Sequence, residues 1–124
     1  MRDPTPTLPL LRTLQDDPSE YVRRSVANHL NDIGKDHPQI LADWLAEHLP
    51  RAQEPRRALL RHASRGLIKQ GHAATLGHWG LGRSFEGTLA WSVAPELIQV
   101  GDSLRLQLRL HSSSREPQAL EIDY

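Results

Sequence analysis

The chain has 124 residues, enough for one domain of ordinary size, and its 15 basic and 15 acidic residues cancel to a formal net charge of zero. It contains no cysteine, which excludes a disulfide framework, a thiolate nucleophile and a Cys-based zinc site. No apolar run approaches the roughly 18–20 residues of a membrane span, and the opening MRDPTPTLPLL lacks the pattern of a signal peptide, so the expectation is a soluble protein of the cytoplasm.

The first predicted element is a helix from Ser19 to Ile33. Val22, Val26, Leu30 and Ile33 recur at i, i+4, i+8 and i+11, one stripe of a helix surface. Ser19, just after Pro18, is a suitable N-cap, and Asp16 and Asp17 lie near the positive end of the helix dipole. Gly34 suits the C′ position, where a left-handed backbone is needed. A second, shorter helix is expected over Gln39–His48, through Ile40, Leu41, Trp44 and Leu45. Pro50 and Pro55 frame a polar connection, and Pro55 starts a third helix, Arg56 to Gln70, ended by Gly71. The first and third helices repeat at an offset of 37: Val22 maps to Leu59, Arg24 to Arg61, Val26 to Ala63, Leu30 to Leu67 and Gly34 to Gly71. That predicts stacked helix pairs of the HEAT type, at a period a little under the usual 40–47 or so.

After Gly80 the period changes to two. Leu89, Trp91 and Val93 alternate with small or polar residues, as do Leu104, Leu106, Leu108 and Leu110, so two half-buried antiparallel strands are expected. A third strand is expected to begin in Ala119–Tyr124, through Leu120 and Ile122. Three strands fall short of the roughly seven of an immunoglobulin-like sandwich. The predicted fold class is therefore α+β by segments. HEAT-like helical repeats occupy residues 1–83, and the start of a truncated, antiparallel immunoglobulin-like segment occupies residues 84–124.

Charge follows the same division. Residues 1–83 carry 12 Lys/Arg against 9 Asp/Glu, and residues 84–124 carry 3 against 6. Nearly all the positive charge is Arg, the better phosphate clamp because its planar fork binds two oxygens at once. On a helical wheel, Ser25, Asn28, Asp32 and Asp36 fall about 240–320° from Val22, a polar stripe beside the apolar one. Such a stripe can line a groove; equally, Asn28 and Asp32 can bond backbone groups of the neighbouring repeat while Asp36 caps the helix begun by His37-Pro38. On the third helix Arg57, Arg61, Arg65 and Lys69 form one cationic row with no acidic partner. The repeat offset sets Lys69 opposite Asp32 and Arg61 opposite Arg24, so carboxylate and cations are expected to border one surface, with a phosphate backbone a fitting ligand. No histidine pair has metal-site spacing, and no metal is expected. Trp44 reads as core, Trp79 as interdomain packing and Trp91 as the buried aromatic of the β segment.

EYVRRSVANHLNDIGKDHP, followed by RRALLRHASRGLIKQGHAATL, resembles the AlkC-type branch of the DNA alkylation repair glycosylases. The likeness runs on through Val100-Gly101-Asp102-Ser103-Leu104 to Ile122-Asp123-Tyr124. It implies a HEAT-like solenoid gripping double-stranded alkylated DNA on its concave face, followed by an immunoglobulin-like domain. The implied activity is excision of cationic N-methylated bases, chiefly 3-methyladenine, by hydrolysis of the N-glycosidic bond, with no metal or organic cofactor. Asp32 or Asp36 would be the catalytic carboxylate, Asp32 preferred for its place on the helix stripe; Asn28 and Asn31 would orient it or contact the backbone. Arg24, Lys35, Arg61, Arg65 and Lys69 would hold the DNA. Members of this family are much longer, and Gly34 stands where a Ser is expected, so the chain reads as a fragment. The alternatives are a non-catalytic DNA-binding or scaffold module and an inactive truncated product, whose open β edge predicts self-association.

Overall fold

Proline and serine set most of the helix starts. In the computed structural model, which describes residues 2–123, a 3-10 turn at Thr5–Thr7 leads into α1 (Leu8–Leu14), α2 (Glu20–Asp36), α3 (Pro38–His48), α4 (Glu54–Lys69) and α5 (Ala73–His78). Helices α1, α3 and α4 each carry Pro in the first two positions, where a missing N–H costs nothing. Ser19 caps α2 by accepting the N–H of Val22 at 3.4 Å. Helices α1 and α5 have no counterpart among the predicted elements. At seven and six residues they are too short to show a period, and short helices depend on tertiary packing.

The two glycines equated by the repeat differ in use. Gly71 has φ +71° just past α4, with its N–H on the Ile68 carbonyl and the His72 N–H on that of Leu67, the Schellman arrangement. Gly34 is not a C′ residue: α2 continues through it to Asp36, and His37 is the C-cap. It is glycine because α3 passes close by; a Cβ there would lie 2.7 Å from Leu41 Cδ2. Asp36 is therefore the last residue of α2 and does not cap α3, whose N-cap is His37.

The chain divides into a helical unit that extends through Gly82 and a β unit, Arg83–Ile122. In the helical unit Val26, Leu30 and Ile33 of the predicted stripe are buried, together with Leu41, Trp44 and Leu45 from α3 and Leu59, Leu60, Ala63 and Leu67 from α4. Trp44 belongs to this core, as its place on the apolar face of its helix implied. The most extensive contact between helices joins α2 to α4, and it brings Asn28 of the polar stripe against Arg65 of the cationic row. No helix of the described residues is long and apolar enough to cross a membrane.

In the β unit, β1 (Gly87–Ala94) pairs antiparallel with β2 (Arg105–Ser112). Leu89 faces Leu110, Trp91 faces Leu108 and Val93 faces Leu106, so these six side chains share one face of the hairpin. Trp91 is 75% exposed and is not the buried aromatic expected of it, since a hairpin without a second layer has nothing to bury its apolar face against. The third expected strand is also absent: residues 119–123 form no ladder, and Tyr124 lies outside the described residues. Alternation makes a strand only where a neighbouring edge is available to pair with it.

Candidate functional site

The α2–α4 junction is held by polar as well as apolar contacts. Asn31 is buried at 5% exposure, and its Oδ1 accepts the backbone N–H of Gly66 at 3.2 Å. The absence of a Gly66 side chain permits this approach: a Cβ on Gly66 would lie 3.0 Å from that oxygen. Asn31 is thus placed inside the junction, bonded to backbone of the neighbouring helix, and not on the exposed surface.

Asn28, one turn earlier and exposed, bridges the same two helices differently. Its Oδ1 accepts from His62 Nε2 at 3.1 Å and from an Arg65 terminal nitrogen at 3.2 Å. Arg65 donates with its other terminal nitrogen to the His62 carbonyl at 2.7 Å. Both acceptors are neutral, so the guanidinium is fixed in place without its charge being cancelled. His62 was not among the residues singled out from the sequence. The offset of 37 did carry the signal, since it maps Ser25 of the polar stripe onto His62 and Asn28 onto Arg65. Burial, then the charges of Arg65 and Arg24, hold the His62 imidazole below its ordinary pKa.

Asp32 follows Asn28 on the exposed stripe of α2. Lys35 donates to its carboxylate at 2.7 Å, both side chains being about half exposed. That hydrogen bond lowers the Asp32 pKa, assisted by the charges of Lys35, His29 and Arg65. The carboxylate is therefore ionised at neutral pH and lies within the field of the fixed Arg65. Asp36, one turn further on, is exposed at the end of α2.

The cationic row of α4 does not act as one line. Arg57 and Arg61 both lie over the Trp79 ring, 5.3 and 5.4 Å from its centroid. The Trp79 indole N–H donates to Ser64 Oγ at 3.0 Å, so this tryptophan packs on α4 of its own unit. Arg61 is thereby turned toward Trp79, while Arg65 is turned toward α2. Lys69 lies 3.4 Å from Asp123, and Arg24 lies 4.0 Å from Glu20, all four exposed. Among the described residues, no group of three or more His, Asp or Glu is placed to hold a metal ion.

The structure thus brings Asn28, Asp32, Lys35 and Arg65 to one exposed surface, adds His62, and sets Asn31 and Arg61 into packing positions. Such a surface offers an ionised carboxylate beside the fixed Arg65 and the exposed Lys35, suited to a ligand that carries phosphate and develops positive charge during reaction.

No family model matches this sequence. Over 98% of its length the chain is 38% identical to the uncharacterized protein YhaZ of Bacillus subtilis (strain 168), of which it covers 34%. Among solved structures, it matches the Pseudomonas fluorescens alkylpurine DNA glycosylase AlkC bound to DNA containing an abasic site analog. The TM-score is 0.80 and the identity 38%, over 94% of this chain and 32% of that one. The chain spans about a third of the length of both relatives. In sequence and in backbone, this protein is similar to that third of an alkylpurine DNA glycosylase of the AlkC kind.

Proposed function

We propose that the chain carries the DNA-gripping helices and the carboxylate of an AlkC-like DNA repair glycosylase, built from HEAT-like repeats and the start of an immunoglobulin-like domain. Its substrate is double-stranded DNA bearing cationic N-methylated purines such as 3-methyladenine. One observation carries this reading: a 38% identical likeness, at TM-score 0.80, to a glycosylase solved on DNA.

The chemistry suits the residues. A methylated, positively charged base is already a good leaving group, so no strong general acid is required. The N-glycosidic bond breaks with its electron pair going to the base nitrogen, and positive charge develops on the sugar. Asp32, ionised and exposed, stabilises that charge and orients a water molecule. The water oxygen bonds to the anomeric carbon and a proton is released. Lys35 turns from Asp32 to a phosphate when DNA arrives, leaving the carboxylate to the sugar. Arg65 holds a neighbouring phosphate, with Arg24 and Lys69 further along the same surface. Asp36 is the second candidate for the carboxylate.

The test is release of 3-methyladenine from methylated duplex DNA by this chain. Asp32→Asn is expected to lower the rate by about 100-fold or more, as expected for removing a fixed transition-state charge, while DNA binding persists. A comparable loss in Asp36→Asn and none in Asp32→Asn would transfer the role to Asp36. Salt-sensitive DNA binding with no release above background would identify a non-catalytic DNA-binding module instead.

A further inference from the structure

Between the first halves of α2 and α4 runs a groove of about 300 Å³ that the carboxylate chemistry does not use. Its floor is apolar, with Ala27 and Leu59, and its walls carry Glu20, Arg23, Arg24 and His62. The Arg23 guanidinium donates to the carbonyl oxygens of Asp17 and Pro18 at 2.8 and 2.9 Å. These neutral acceptors position it and leave its charge in place. Arg24 meets Glu20 only at 4.0 Å, with both side chains largely exposed, a contact that a bound anion displaces at little cost.

His62 is the unusual member of this set. Asn28 Oδ1 receives both His62 Nε2 and the donor-only Arg65, so the amide orientation is fixed and Nε2 is the protonated nitrogen. Nδ1 is then the position at which a second proton adds. The charges around the imidazole come from Glu20, Arg23 and Arg24 on α2 and from Arg65 on α4 itself; no charged side chain of α3 or α5 lines the groove.

We propose that this groove is a phosphodiester subsite for the DNA strand, in which Arg23 and Arg24 hold the phosphate and His62 takes up a proton as it binds. A phosphate there neutralises Arg24, one of the two cations opposing an imidazolium, and offers its oxygen to the new Nδ1–H. The apolar floor accommodates the sugar. Eight residues separate Arg24 from Asp32 on α2, about 12 Å along the helix, equal to about three or four base-pair steps along a strand. The subsite therefore grips the strand beside a lesion held at Asp32. It rests on the DNA reading above.

The experiment is fluorescence anisotropy of a labelled, undamaged duplex oligonucleotide with this chain, over a range of salt at pH 5.5 and pH 8. At a fixed salt concentration the affinity is expected to be higher at pH 5.5 than at pH 8, because binding and proton uptake by His62 favour each other. His62→Gln keeps a donor for Asn28 and is expected to reduce that pH dependence. Arg24→Gln is expected to flatten the slope of log affinity against log salt by about 0.9 at both pH values. In the unsubstituted chain, the His62 imidazole resonance is expected to titrate at higher pH with DNA than without, which decides the matter even if His62→Gln fails to fold. An affinity independent of pH, a pH dependence that survives undiminished in folded His62→Gln, or an unmoved His62 titration would overturn the subsite and leave DNA binding standing. Absence of DNA binding at any salt would overturn both readings.

Discussion

Asn28 and Asn31 lie three residues apart on α2, yet one is exposed and the other is at 5% exposure. Their side chains point only about 60° apart around the helix axis. Asn31 meets the Gly66 N–H within the helix junction, whereas Asn28 collects His62 and Arg65 at its edge. The same attention to burial applies to His48. It is 7% exposed, with Nδ1 at 3.1 Å from Gln15 Nε2 and its ring 4.5 Å from that of Trp44. Burial holds its pKa below the ordinary value, with Arg12 and Arg56 acting the same way and Glu47 and Asp16 against it. The neutral form is therefore the one the folded state prefers. Between the lowered folded pKa and the unfolded value of about 6.5, the unfolded chain binds more protons, so stability is complete above that range and declines as pH falls through it. Urea unfolding at pH 7.5 and pH 5 should show a lower midpoint at the acid value. His48→Gln should remove part of that difference, the remainder belonging to His62, whose shift has the same sign. A midpoint unchanged between the two pH values would contradict the buried neutral histidine.

At the scale of elements, the contact between α2 and α3 turns on Gly34. Its missing side chain lets Leu41, fully buried, approach to a distance no Cβ tolerates. Gly34→Ala gains up to about 1 kcal/mol of helix preference but forces Leu41 to move, at a cost of about 1–3 kcal/mol for overpacking. Net destabilisation is expected, read as a lower denaturation midpoint with α2 still helical. A raised midpoint would show that Leu41 yields freely. The sequence pointed to glycine here for the wrong reason, because a glycine at the end of an apolar stripe looks the same whether it reverses the chain or admits a neighbour. Gly71, where the chain does reverse, was legible because its helix ends there. The spans of α2, α3 and α4 were legible to within two or three residues, since apolar period, proline and N-cap are all local signals. Helices α1 and α5 were not, having too few turns to show a period.

For the whole molecule, the decisive feature outside the helices is the uncovered apolar face of the β1–β2 hairpin. Leu89, Trp91, Leu106 and Leu108 are all roughly half exposed or more, on one surface. A contiguous apolar face of this kind associates with whatever apolar surface it meets. Self-association of the isolated chain is the expected result, seen as a sedimentation mass that rises with concentration. Trp91→Lys should weaken it, and a chain that stays monomeric at high concentration would refute the expectation.

By itself the sequence determined where the main helices and the two strands run, which residues form their apolar stripes, and that Asn28 and Asp32 on one helix and Arg61 and Arg65 on another fall outside those stripes. Period, capping and residue chemistry act over a few positions and survive without a partner. Only the tertiary structure decided which polar groups meet. One residue turns a helix face by about 100°, so whether Asn28 or Asn31 enters the junction, and whether Arg61 or Arg65 faces α2, depends on how α2 and α4 are set against each other. That setting follows from long-range packing around Leu30, Ala63 and Gly66, which no local window contains.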